Sequence, residues 1–250
     1  KKYSRSTCIG ALMGIAFLAS RMAYYQIGQV YGLMGTMGLW MAIGILYLLC
    51  GYLNERDGLE KRRFFIASGL YFGICFVHER YMVLLPLFYL VLICRKARNK
   101  RLWITPAAVF GFVQLIRLQT IGGLAPAGTG GTDVADTFSL KEAIKYAFSQ
   151  VAYLFGVNAG PEHLNGQNFR EAPVIVMMLI VIADLMLLGM VIAFLFKLIQ
   201  NRKTCLPMLW TSLLFIGFIG GCIVCSNVTI RVEMRWIYVS YAAALLYLSW

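Results

Sequence analysis

Eight runs of apolar residues divide this chain, at about 7–20, 31–53, 64–77, 81–94, 102–116, 174–196, 205–225 and 236–250. A run of roughly 20 such residues, wound as a helix, crosses a hydrocarbon core of about 30 Å. Inside that core every backbone N–H and C=O must be bonded internally, which a helix achieves within one segment. The runs therefore predict an all-α, polytopic helical membrane protein with about eight membrane-spanning or membrane-dipping helices. Composition points the same way, since 60% of the residues are hydrophobic and 14% are charged, against about a quarter charged in a soluble domain. The simplest organisation is one membrane domain over residues 1–250. The chain starts without Met and ends inside an apolar run at Trp250, so a piece of a longer protein is expected.

The formal charge of +12 could suggest nucleic acid as a partner, but Lys and Arg fall in short clusters between apolar runs and build no continuous basic face. No nucleic-acid partner is expected. The clusters are Lys1, Lys2 and Arg5; Arg56, Lys61, Arg62 and Arg63; Arg95, Lys96, Arg98, Lys100 and Arg101; and Lys197, Arg202 and Lys203. They hold 15 of the 23 basic residues, and they occupy every second junction. That alternation is what the positive-inside rule requires, so these four segments are read as cytoplasmic. The intervening segments 21–29, 78–80, 117–172 and 226–235 are then outer, which places the protein in a plasma or inner membrane with its site facing outside or the periplasm.

Most of the seven cysteines (Cys8, Cys50, Cys75, Cys94, Cys222 and Cys225 among them) lie inside apolar runs. There a thiol acts as a small hydrophobe. Cys222 and Cys225 have CxxC spacing, but no His or second pair accompanies them, and no metal site is expected. The first run resembles a signal peptide in its basic flank, yet no A-x-A site follows it, and an uncleaved helix is the preferred reading. GxxxG spacings at Gly10 and Gly14, Gly28 and Gly32, Gly69 and Gly73, and Gly217 and Gly221 are helix-packing signals.

The outer segment 117–172 is the only extramembrane stretch of any length. It opens on a Gly-rich, Pro-containing loop at 122–132. Ser139-Leu-Lys-Glu142 then has the form of a capping box. Leu140, Ile144, Phe148, Val151 and Phe155 follow at helical spacing, with Lys141, Glu142, Lys145, Ser149 and Gln150 on the other face. Such a helix either lies along the outer membrane interface or packs on its own domain. Beyond it, residues 156–170 read as a shaped polar loop containing Glu162 and His163.

Three groups of polar residues could carry chemistry. His78-Glu79-Arg80-Tyr81 interrupts the apolar stretch 64–93, which is basic at both ends. A straight helix of that length would span about 45 Å and strand three ionisable groups in lipid, so a hairpin with these residues at its outer tip is expected. At a membrane edge Glu79 can take a proton or orient an acceptor hydroxyl, and Arg80 offers a fork of donors suited to phosphate. The bland alternative is a solvated turn. The second group is Arg231-Val-Glu233-Met-Arg235-Trp236, where alternate spacing aligns Arg231, Glu233 and Arg235 on one face of an extended segment. Those residues suit an anionic head group; snorkelling Arg beside an aromatic belt is the ordinary alternative. Third, Asp184 is the one ionisable residue deep in the run 174–196, which makes it a functional residue by default or a hydrogen-bonded packing element. Arg21, Tyr24, Tyr25, Gln26, Gln29, Gln114 and Arg117 could line one outer cleft. Asn227-Val-Thr229 matches a glycosylation sequon but abuts the membrane.

No Walker loop, Rossmann fingerprint, HExxH or GxSxG is present. No nucleotide cofactor is expected, and a substrate activated for chemistry on the outer face must arrive attached to the membrane. The His78-Glu79-Arg80-Tyr81 tip with Pro86 shortly after it, and Arg231-x-Glu233-x-Arg235-Trp236 before a late helix, resemble elements of GT-C class membrane glycosyltransferases. The motifs cover about a tenth of the chain; many helices, a long outer loop and an interface helix complete the likeness. The resemblance implies transfer of a sugar from a polyprenyl-phosphate-linked donor to a lipid, glycan or protein acceptor, with membrane lipids around the site. It implies Arg80, Arg231 and Arg235 as phosphate binders, joined by Glu233, Arg117 and His163 at the substrate, and Glu79 and His78 as site shapers or base. Cofactor identity stays open, a divalent cation included. In that class an acidic residue of the first large outer loop is usually the base, whereas segment 21–29 contains no Asp or Glu. A transporter or flippase using Asp184 and Glu79, a polysaccharide polymerase or ligase, and a non-catalytic scaffold are the alternatives.

Overall fold

The structure is a computed structural model, and it describes residues 7–20, 23, 32–123, 139–158, 168–227 and 234–249. Among them 88% are helical and none is in a strand. Nine α-helices follow one another: α1 (Thr7–Leu18), α2 (Gly32–Asn54), α3 (Glu60–Val77), α4 (Leu84–Cys94), α5 (Lys100–Ile121), α6 (Leu140–Leu154), α7 (Val174–Gln200), α8 (Arg202–Asn227) and α9 (Met234–Ser249). Short 3₁₀ turns lie at Glu79–Val83 and Phe169–Glu171.

Each of the eight apolar runs forms a helix, but their lengths differ in kind. Gly32–Asn54, Lys100–Ile121, Val174–Gln200 and the Cys205–Asn227 part of α8 are long and apolar enough to cross a membrane. By contrast α4 has 11 residues, a rise of about 16 Å, roughly half a hydrocarbon core. It serves as the return arm of the hairpin that the charged tip demanded. Phe64 and Phe88 meet edge-to-face at 5.4 Å between centroids, and the Tyr71 hydroxyl donates to the Met82 carbonyl at 3.3 Å, so α3 and α4 run antiparallel about the turn.

The core forms where helical spacing puts large side chains on one stripe. Leu39, Ala42, Ile45, Leu46 and Leu49 of α2 face Phe64, Ala67, Tyr71 and Ile74 of α3, and α4 adds Leu84, Leu87, Phe88 and Val91. For helices in lipid, turning such a stripe inward gains no hydrophobic free energy, so close packing must hold them together. Gly217 and Gly221 make that possible for α8. A Cβ at Gly217 would lie 3.0 Å from Leu87, and one at Gly221 would overlap Val83. Of the other GxxxG pairs, Gly73 lies beside Met41, whereas nothing approaches Gly14 or Gly69; Gly28 lies outside the described residues.

The chain's folding gives the bundle two distinct ends. At one, Arg95 of α4 reaches Glu60 of α3 at 3.4 Å and stacks over Tyr52 of α2, 5.6 Å from its ring centroid. Asn54 donates to Thr211 of α8 at 3.0 Å. The basic junctions 55–63 and 95–101 therefore share an end with the start of α8. The Lys96 and Ala97 amides close α4 onto the Ile93 and Leu92 carbonyls, both at 3.0 Å, which is a Schellman motif. The residue in the left-handed position is usually Gly; here it is Lys96, with φ 49°, at a cost of about 1 kcal/mol.

α7 stands apart. None of its 27 residues is buried, and it packs along α8.

Candidate functional site

At the opposite end from the basic junctions, the tip and three other helices bring their polar residues together. α3 stops at His78, whose extended backbone (φ −161°, ψ 136°) breaks the helix. Its Nδ1 then accepts the Arg80 amide at 3.2 Å, capping the 3₁₀ turn as an N-cap side chain does. With Nδ1 accepting, the proton of the neutral ring is assigned to Nε2. That atom lies 3.4 Å from Arg80 Nη2, so the imidazole and guanidinium edges lie side by side.

Arg80 is buried at 8% exposure, whereas His78 is exposed and Glu79 half-buried. The guanidinium points inward rather than into solvent, and its charge is felt by Tyr81, Tyr238 and Cys222. The simple solvated turn is therefore not what forms here. Tyr81 lies fully buried against Gly38 of α2, where a Cβ would come within 2.6 Å of its ring. Tyr238, one turn into α9, donates to the Gly35 carbonyl and ties the start of α9 to the start of α2.

Glu79 pairs with Arg117 through Oε1 and Nη2. Sequence reading put Arg117 in the outer loop; it belongs instead to α5, which continues to Ile121 and ends on the left-handed Gly122 (φ 77°). The apolar count misses this last turn because Arg117, Gln119 and Thr120 make it polar. With a side-chain exposure of 6% for Arg117 and 27% for Glu79, the pair is largely shielded. Loss of one partner of a shielded pair costs more than its formation gains. Gln114, one turn earlier, reaches the Met82 sulfur at 3.5 Å, so the proposed lining of Gln114 and Arg117 does sit beside the tip.

α6 closes this end. Ser139 caps it by accepting the Glu142 amide at 3.5 Å. Leu140, Ile144, Phe148, Val151 and Phe155 are all exposed, so the apolar stripe faces away from the bundle. Its inner side presents Tyr146, Tyr153 and Leu154 to the core. Gln150, read from sequence as part of the polar face opposite the apolar stripe, is fully buried. Its Nε2 donates to Ser226 Oγ and Asn227 Oδ1, each at 2.8 Å, and Ser226 Oγ donates back to Gln150 Oε1 at 3.0 Å. This three-residue network was missed because a single Gln on a polar helix face carries no signal of inward orientation.

The remaining expected residues divide into two sets. His163, Arg231 and Glu233, with Arg21, Tyr24, Tyr25, Gln26 and Gln29, lie outside the described residues. Arg235 belongs to the first turn of α9, so it is helical rather than part of an extended segment. Asp184 is half-exposed on α7. Among the described residues no group of three or more His, Cys, Asp or Glu could hold a metal ion, and the seven cysteines are free.

Chemically, the tip cluster combines two cations, one carboxylate and an imidazole, most of them shielded from water. Comparison with family models, with characterised proteins and with solved structures yields no match.

Proposed function

We propose that the chain transfers a sugar from a polyprenyl-phosphate-linked donor to an acceptor hydroxyl, in the manner of GT-C class enzymes, on the outer face of a membrane crossed several times. The carrying observation is the convergence of Arg80, His78 and the Glu79–Arg117 pair at one end of an apolar helix bundle. A phosphate-linked donor held in lipid can present only its head group to such a site. Arg80 and His78 Nε2 offer convergent donors to a phosphate oxygen. Glu79, fixed by Arg117 through one oxygen, keeps a second oxygen with which to take the acceptor proton. In the step itself the acceptor oxygen bonds to the anomeric carbon, the bond from that carbon to the phosphate oxygen breaks, the lipid phosphate leaves, and Glu79 holds the proton. Arg231, Glu233 and Arg235 are assigned to the same head group, and the exposed apolar stripe of α6 seats that helix in the interface.

Carriage of a substrate through the bilayer is the weaker reading, because Asp184 sits on α7, none of whose residues is buried. The deciding experiment is incorporation of labelled sugar in membranes supplied with a polyprenyl-phosphate donor. Glu79→Gln keeps a hydrogen bond to Arg117 while removing the base, and incorporation should fall by about 100-fold or more at unchanged protein level. Full incorporation by Glu79→Gln overturns the assignment. If Asp184→Asn instead stops substrate uptake in sealed vesicles and leaves glycans intact, the protein is a transporter.

A further inference from the structure

The end of the bundle away from the tip holds a cleft of about 480 Å³ lined by Arg56, Glu60, Cys94, Arg95 and Lys96. Three cations face one carboxylate there. Glu60 answers Arg95 only at 3.4 Å, a long ion pair that leaves net positive charge in the cleft. The residues come from three places in the chain: the α2–α3 junction, the first turn of α3 and the close of α4. Tertiary packing therefore assembles the cleft, and Tyr52 fixes the Arg95 guanidinium from below through its ring face.

Two further features point to a ligand. Lys96 occupies the left-handed position of the Schellman motif (φ 49°), the one non-Gly residue with positive φ among the described residues. Glycine would close that helix without strain, whereas lysine adds an ammonium at the cleft mouth. Next in the chain to the lining residues Glu60 and Cys94, Leu59 and Ile93 are 48% and 60% exposed, which sets apolar surface near the cleft. Charge above and grease beside it are the two halves of an amphiphile's head-group region. The site lies where α2 ends, and α2 is among the helices long enough to span, so its depth matches the head-group layer.

We infer that this cleft binds the phosphate of an anionic membrane lipid, with Arg95 and Arg56 on the phosphate oxygens, Lys96 at the mouth and the acyl chains along Leu59 and Ile93. It is separate from the tip cluster and stands whether or not that cluster transfers sugar. Basic junctions of membrane proteins attract anionic lipid diffusely; a cleft with a stacked arginine predicts one bound lipid instead.

The test uses the full chain in detergent, titrated with phosphatidylglycerol in mixed micelles and read by native mass spectrometry. One phosphatidylglycerol should stay bound in preference to phosphatidylcholine. The double variant Arg95→Gln, Lys96→Gln should weaken its retention by about tenfold or more, while Arg98→Gln, Lys100→Gln, with the same charge change nearby, leaves it intact. Lys96→Gly should weaken retention while raising the thermal midpoint, a combination that loss of folding cannot produce. Equal loss from both double variants, or no preference over phosphatidylcholine, overturns the site. Displacement of the lipid by millimolar inorganic phosphate, lost in the same variants, supports the phosphate seat but assigns it to a soluble anion.

Discussion

The two ends of this bundle hold their charges in opposite ways. At the tip, Arg117 and Glu79 are paired and shielded, Arg80 is turned inward, and hydrogen bonds join Gln150 to Ser226 and Asn227 in a buried network. At the other end Arg56 and Lys96 stay exposed, and Arg63, in the first turn of α3, pairs with both Glu55 and Asp57 at 2.5 Å where the chain enters that helix. A shielded charge costs free energy unless its partners are in place, whereas an exposed one costs almost nothing alone. The tip therefore holds its polar groups in fixed positions, whereas Arg56 and Lys96 at the basic end stay open to solvent.

Substitutions can break that contrast. The largest effect is expected for Arg117→Ala, which leaves Glu79 in a shielded place without its cation; unfolding in detergent should become easier by about 3 kcal/mol. Arg117→Lys should recover part of it. A loss no larger than that of an exposed-end variant such as Arg56→Ala would erase the distinction. Next comes Gly221→Leu, which drives atoms into Val83 behind the tip. Overpacking of this kind costs about 1–3 kcal/mol, read as a lower thermal midpoint, while Gly69→Leu, with open space around it, should be nearly silent.

A third substitution, Gln150→Leu, removes three hydrogen bonds and leaves Ser226 and Asn227 buried, for a loss of about 1–3 kcal/mol. Faster hydrogen exchange in Leu140–Leu154 would report it, since that helix docks through this contact. The smallest effect belongs to the basic end. The Arg63 guanidinium, helped by the Leu59 amide, holds the Asp57 carboxyl down at about 2 against an ordinary 3.8. A depressed folded value stabilises above the unfolded one and is lost as pH falls through the folded one. The wild-type midpoint should therefore decline slightly more than that of Asp57→Asn between pH 4 and pH 2, and by far less than the tip variants change it.

Much of the fold was legible before any coordinates. Each apolar run became a helix, Ser139 capped α6 as its spacing with Glu142 required, and the charged tip forced a hairpin between Phe64 and Phe88. Reading failed where a boundary residue is polar yet helical. Arg117 looked like loop because polarity marks the edge of an apolar run, not the end of a helix. Counting apolar residues did not separate the helices long enough to cross from the shorter ones, because the hairpin arms share one charged turn and α4 is only 11 residues long.

The sequence alone determined that this is a helical chain with several segments suited to lipid, that its basic junctions alternate, and where its ionisable groups interrupt the apolar runs. Those are properties of local composition and length, and hydrogen bonding within each helix makes them hold segment by segment. Only the tertiary structure decided that Glu79 meets Arg117, 38 residues away, and that Gln150 meets Asn227, 77 residues away. It likewise decided that Arg95 and Lys96 close a cleft with Arg56. Such meetings depend on how far each helix is rotated about its axis and how deep it sits beside its neighbours. Periodicity names the face a residue lies on, and packing decides what that face touches.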